Sequence, residues 1–200
     1  MDPNSRAAIP IAVFLSGGGR SLANLLAHQE SGDINVDFRL VISSRENVRG
    51  LEIADQANIP TRVVRKSDYA VPGLYRDAMF DPCREVGAEL VVMAGFLKHV
   101  TIPKDFENRV INIHPSLIPK FSGQGMYGMN VHQAVVDAGE RKTGCTVHYV
   151  DNIYDNGPVI LQGECHVDEG DTPQVVADKV FALECEALPQ AIRKISKRFR

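Results

Sequence analysis

Apolar residues run almost without interruption through "IPIAVFLS" at 9–16 and "AELVVMAG" at 88–95, the pattern of strands covered on both faces. Between them the period lengthens. "GGGRSLANLLAHQES" sets leucines at helical spacing directly behind three glycines, which predicts strand, glycine turn, helix. The pattern repeats with "VDFRLVISS" as a strand, "NVRGLEIADQANI" as a helix ended before Pro60, and "TRVVRK" as a short strand. Residues 73–88 are amphipathic through Leu74, Ala78, Met79, Cys83 and Val86, and a short helical segment near 102–106 precedes the apolar strand "RVINIH". Such alternation predicts the α/β class, with a Rossmann-like, mostly parallel sheet and helices on both faces.

The second half changes character. A glycine-rich polar stretch, "SGQGMYGMN", leads to a short helix, "VHQAVVDAG". "CTVHYVD" and "GPVILQGECHV", joined by "NIYDN", alternate as antiparallel strands do. From Thr172 a long amphipathic helix runs to the end with Pro189 inside it.

Length and charge narrow the function classes. Two hundred residues suit a single domain over 1–200. A net charge of −3 gives no electrostatic reason to expect nucleic acid or a membrane surface as partner. The basic tail "RKISKRFR" reads as a solvated helix end. The start lacks a secretory signal, and no stretch approaches the roughly 20 apolar residues that span a bilayer, so a cytoplasmic location is the expectation. Cys83, Cys145, Cys165 and Cys185 stand far apart and read as reduced structural thiols, with no metal site indicated.

Ligands of an open α/β sheet bind beyond the carboxyl ends of its strands. Three segments stand there: "SGGGRS", "GFLKHV" and "NIHPS". The first offers free N–H groups at a helix start but is neither a Walker loop nor a full dinucleotide fingerprint, because Leu22 occupies the third glycine position. It reads either as a monophosphate cradle or as a plain tight turn. In "VINIHPSLIPKF", Asn112 and His114 alternate with Ile111 and Ile113, so both leave one face of the strand end. A carboxamide N–H and an imidazole aimed at one point suit the oxyanion of acyl transfer, and Asp155 in "YDNGP" is the best candidate to orient the ring. Asp-Asn-Gly is equally a good turn. No serine or cysteine stands in a nucleophile elbow, which leaves the attacking group to a substrate.

Taken together, "SGGGRSL", "VVMAGFLKHV", "NIHPSLIPKFSGQGMYGMNVHQAV", "GCTVHYVDNIYDNGPVILQ" and "LECEALPQAI" resemble the phosphoribosylglycinamide formyltransferase family, in its order and over nearly the whole chain. The resemblance implies the formyltransferase fold. It further implies transfer of a formyl group from 10-formyltetrahydrofolate to the amine of glycinamide ribonucleotide in purine biosynthesis, without a metal. By position it makes Asn112, His114 and Asp155 catalytic. Gly19, Arg20 and Ser21 would hold the substrate phosphate, and Glu184 would meet the ribonucleotide's ribose and amine. Leu97, Lys98, His99 and Val100, with Asn112 and the 151–155 segment (Asp151, Asn152, Ile153, Tyr154, Asp155), would bind the folate.

The chain departs from the family's usual Gly-Ser-Asn at Arg20 and Ser21, and from its usual Arg-Ile at Lys98 and His99. Pro72 stands where some members carry an arginine for the folate glutamate. The stretch "FSGQGMYGMN" resembles the family's mobile loop; His132 reads as a helix-start residue and His148 as a strand residue near the site, with no catalytic role for either. The resemblance leaves monomer and homodimer equally open. A formyltetrahydrofolate hydrolase or a methionyl-tRNA formyltransferase would carry further domains, which this sequence does not present. A noncatalytic dinucleotide-binding protein predicts a full glycine fingerprint and an acid ending the second strand, where the chain has "SSRE".

Overall fold

A computed structural model describes residues 7–199; the first six residues and the last arginine of the basic tail lie outside the described residues. Seven strands form one sheet in the order β3-β2-β1-β4-β5-β6-β7. They are β1 (Ile9–Leu15), β2 (Val36–Ser43), β3 (Thr61–Val63), β4 (Leu90–Met93), β5 (Val110–His114), β6 (Lys142–Tyr149) and β7 (Val159–His166). The first five are parallel, and β6 and β7 add antiparallel at one edge. The helices are α1 (Arg20–Glu30), α2 (Arg49–Gln56), α3 (Pro72–Glu85), α4 (Met129–Asp137) and α5 (Pro173–Ile195). None is long and apolar enough to cross a membrane.

Period-2 geometry divides the central strands between two cores. Ile9, Ile11, Val13 and Leu15 of β1 face one core, with Leu90 and Val92 of β4 and Leu22 and Leu25 of α1. Ala12 and Phe14 face the other, with Val91 and Met93 of β4 and Tyr75, Met79, Phe80 and Cys83 of α3. There Phe14 meets Phe80 edge-on at 5.6 Å, a contact worth about 1 kcal/mol beyond its burial. The alternation continues in β5, where Ile111 and Ile113 enter the first core. Asn112 and His114 are therefore left on the opposite face, beside Val110.

The final helix begins as its sequence predicts. Thr172 caps it, with Oγ1 accepting from the Val175 N–H at 3.3 Å, and Pro173 occupies the first turn, where its missing N–H costs nothing. The helix passes Pro189 without ending because Ala187, Leu188, Ala191 and Ile192 bury around it, offsetting the roughly 3 kcal/mol of an interior proline. Boundaries shift from the periodicity at several elements, β3 for example ending at Val63, short of Lys66. The fourth helix starts at Met129 rather than at Val131, and β6 starts at Lys142 because pairing with β7 extends the ladder. The basic tail is not simply solvated: Lys194 Nζ donates to the Ile160 carbonyl at 2.6 Å and Arg198 to the Tyr149 hydroxyl at 2.8 Å.

Candidate active site

The strand order reverses between β1 and β4, the switch point beyond which an open α/β sheet binds its ligands. Ser16, at the end of β1, stands there. Its N–H donates to the Gly95 carbonyl at 3.1 Å, and its Oγ accepts from the Leu97 N–H at 2.9 Å and lies 2.7 Å from Ser44 Oγ. A cavity of about 740 Å³ extends from this point past the ends of β4 and β5. Arg20, Ser21, Leu97, Lys98, His99, Val100, Asn112, His114, Asp151, Ile153, Tyr154, Asp155 and Glu184 all line it. Segments chosen from distant parts of the sequence thus share one wall.

Two expected residues do not line the cavity. Gly19 is the residue before α1, at φ 68°, a left-handed conformation suited to glycine. A Cβ at this position would lie 2.5 Å from Gly50 Cα, so the glycine also permits α1 to pack on α2. Asn152 is exposed, and its Oδ1 accepts from the Ile102 N–H at 2.8 Å. It fastens the 151–155 segment to the loop after β4. His99 closes the same seam, its ring 4.8 Å from that of Tyr154.

At the floor lie four polar side chains from three segments. Asn112 and His148 are direct cross-strand partners on β5 and β6. His148 Nδ1 donates to the Tyr149 carbonyl at 2.8 Å, and burial pulls its pKa below the usual imidazole value, so the ring is neutral with Nε2 bare. That nitrogen accepts from Asn112 Nδ2 at 3.3 Å. The second Nδ2 hydrogen remains for a ligand. The His114 ring is buried, with Nε2 donating to the Phe121 carbonyl at 2.8 Å and Nδ1 3.5 Å from Asp155 Oδ2. The Phe121 carbonyl thus holds one side of the ring, and the Asp155 carboxylate stands at the other. Asp155 has a positive φ of 50°, which aspartate tolerates better than most residues, and its Oδ2 accepts from the Gly123 N–H at 2.9 Å. The stretch after Pro119 is therefore tied to both His114 and Asp155.

The far end of the cavity belongs to α1 and α5. Glu184 lies there with its carboxyl pushed up to about 7 by desolvation, against the pull of Arg20. The Arg20 guanidinium stacks on the Phe181 ring, 3.4 Å from its centre. Sequence reasoning singled out neither Phe181 nor the burial of His132, which lines the cavity with Nδ1 lacking a partner and its pKa lowered by desolvation. The apolar periodicity of α5 around Val180 was the one available signal for Phe181. His132 carried none, because a histidine in a first helical turn is ordinarily exposed. Among the described residues no cluster of three or more His, Cys, Asp or Glu side chains is placed to hold a metal.

A cavity at the switch point of a mostly parallel sheet, beside a glycine-rich helix start, places the chain among enzymes of the α/β class. The chain belongs to the formyl transferase family, matching it over residues 9–192. Its relatives include proteins named phosphoribosylglycinamide formyltransferase and a trifunctional purine biosynthetic protein. The chloroplastic enzyme of Arabidopsis thaliana is 35% identical over 177 residues, covering 87% of this chain and 61% of that protein. The trifunctional purine biosynthetic protein adenosine-3 of Gallus gallus is 35% identical over 190 residues, 94% of this chain and 18% of that protein. This chain thus spans less than two thirds of both curated relatives. The crystal structure of glycinamide ribonucleotide transformylase 1 from Symbiobacterium toebii superposes with a TM-score of 0.86 at 34% identity, covering 93% of this chain and 86% of that one.

Proposed function

We propose that this chain transfers the formyl group of 10-formyltetrahydrofolate to the primary amine of glycinamide ribonucleotide. The observation that carries the reading is the meeting of Asn112, His114 and Asp155 on one floor of the cavity, with Glu184 and the helix start behind the glycines at its far end. The ribonucleotide phosphate lies at the helix start, at the backbone N–H groups of Arg20 and Ser21, where the helix dipole favours an anion and Gly19 provides the turn into α1. Its ribose and amine reach past Glu184 toward His114. The folate ring enters against the main chain of 97–100 and 151–155. Asn152 shapes that slot through its bond to Ile102.

The amine attacks the formyl carbon, and the carbonyl electrons move onto oxygen. Asn112 meets that oxyanion with its free Nδ2 hydrogen, while His114 supplies a second N–H. For this, the Phe121 carbonyl gives up the His114 Nε2 hydrogen that it now accepts. Asp155 balances the charge on the ring from the Nδ1 side. Collapse expels the folate N10, which takes up the proton that the amine gave up. A preorganised donor of this kind contributes on the order of 10²–10³ in rate.

The test follows the absorbance of a 10-formyl folate analogue with and without glycinamide ribonucleotide. Turnover that requires the ribonucleotide supports the reading, and His114→Ala should abolish most of it. Turnover without the ribonucleotide would instead make the chain a hydrolase working with the same residues.

A further inference from the structure

Arg20 breaks a local rule. It opens α1, where the helix dipole is positive and a cation is unfavourable, and the first turn carries no acidic residue to compensate. No carboxylate among the described residues lies within 4.0 Å of its guanidinium, although the side chain is exposed and free to seek one. Instead its guanidinium carbon sits over Phe181, 3.4 Å from the ring centre. Its charge acts on Glu184 across the same cavity, so the cation stands between a ring on one side and the open space of the site on the other.

A second rung lies one turn along both helices from this contact. Asn24, one turn along α1 from Arg20, donates from Nδ2 to the carbonyl of Cys185 at 2.8 Å, and Cys185 stands one turn along α5 from Phe181. The two helices are thus pinned in register at the point where the guanidinium meets the ring. Beside it the chain leaves space: a Cβ at Gly17 or Gly18 would meet nothing within 4 Å. Both Arg20 and Phe181 line the cavity.

We propose that Phe181 is a positioning residue, whose ring holds Arg20 as a side-chain clamp selecting a phosphate monoester dianion. The proposal rests on the formyl-transfer reading for the identity of the substrate. It adds to that reading a second helix that takes part in phosphate recognition. Stacking keeps the guanidinium plane fixed and leaves its N–H edge for two oxygens at once, a geometry that a lysine cannot reproduce. The backbone N–H groups alone would take any small anion, whereas a fixed bidentate cation favours the doubly charged phosphate.

Binding of ribose 5-phosphate to the full chain, by calorimetry, reads the clamp without catalysis. Arg20→Ala should weaken it roughly 10- to 100-fold and Phe181→Leu about three- to tenfold, with Arg20→Lys between wild type and Arg20→Ala. In the Arg20→Ala background, Phe181→Leu should add nothing further, because the ring would have no guanidinium left to hold. In turnover, Phe181→Leu should raise KM for the ribonucleotide while leaving kcat and the folate KM unchanged. Wild-type affinity in Phe181→Leu, or equal losses for folate and phosphate, would overturn the clamp. Phosphate binding that obeys these rules in a chain without formyl transfer would sink the transfer reading and leave the clamp standing.

Discussion

Asn112 and His148 face one another across β5 and β6, with the carboxamide nitrogen 3.3 Å from a bare imidazole nitrogen. Because His148 Nδ1 is committed to the Tyr149 carbonyl, its Nε2 can only accept while the ring is neutral. The carboxamide is therefore oriented nitrogen-first into the site. His148→Phe should remove that orientation and lower kcat about tenfold, the equivalent of one hydrogen bond near 1.4 kcal/mol, with KM for both substrates nearly constant. His148→Gln, which keeps an acceptor, should recover part of the loss. Steady-state kinetics at saturation decide the matter, and a His148→Phe enzyme with wild-type kcat would refute the orienting role.

Asp155 combines a charge with an unusual backbone. Asparagine also tolerates its φ of 50° and keeps an oxygen for the Gly123 N–H, so Asp155→Asn removes the charge with little else disturbed. Formyl transfer should fall roughly 10²–10³-fold, the range of a lost electrostatic stabiliser, with melting temperature within a degree or two of wild type. A large drop in melting temperature would assign Asp155 to the fold and not to the chemistry.

The glycines before α1 differ in what they do. Gly19→Val places a β-branched residue at φ 68° with its Cβ 2.5 Å from the Gly50 backbone. The strain should cost at least about 2 kcal/mol and lower the melting temperature by roughly 4–8 °C. Gly18→Ala adds a methyl group to open space and should leave stability close to wild type. Differential scanning calorimetry of the two variants makes the comparison, and equal melting temperatures would contradict the packing of α1 on α2.

Glu184 couples the site to pH. Its folded carboxyl is raised from 4.5 to about 7, first by desolvation, with Arg20 opposing. A raised carboxylate pKa means that the folded chain holds a proton the unfolded chain releases. Its contribution is thus most favourable below pH 4.5, fades as pH rises toward 7, and stays unfavourable above that. Glu184→Gln should therefore stabilise the chain at pH 8 relative to wild type by an amount on the order of 2–3 kcal/mol, and much less at pH 4.5. Urea midpoints of both proteins across that range provide the measurement; a constant difference would remove Glu184 as the source.

Local periodicity carried much of this protein. Alternation along "VINIH" already placed Asn112 and His114 on one face, since a strand's side-chain direction depends only on its own pleat. The doubly apolar strands announced a covered parallel sheet, and Thr172-Pro173 announced the start of the last helix. These features belong to one element each, so neighbouring residues suffice to specify them.

Which elements meet was another matter. Asp155 reaches His114 only because β6 lies antiparallel beside β5 and brings the following turn over the same floor. Asn152 stands in a segment that reads as ligand-binding, yet its side chain is consumed by the Ile102 N–H, a partner fixed by how two loops pack. Arg20 meets Phe181 because α1 and α5 pack together in a register that the Asn24–Cys185 bond, one turn further along both helices, also holds. Such contacts join residues far apart in sequence, and they are decided by the strand order and the filling of two cores. The sequence by itself determined the elements and the residue types at their ends; tertiary packing decided which of those ends share a cavity.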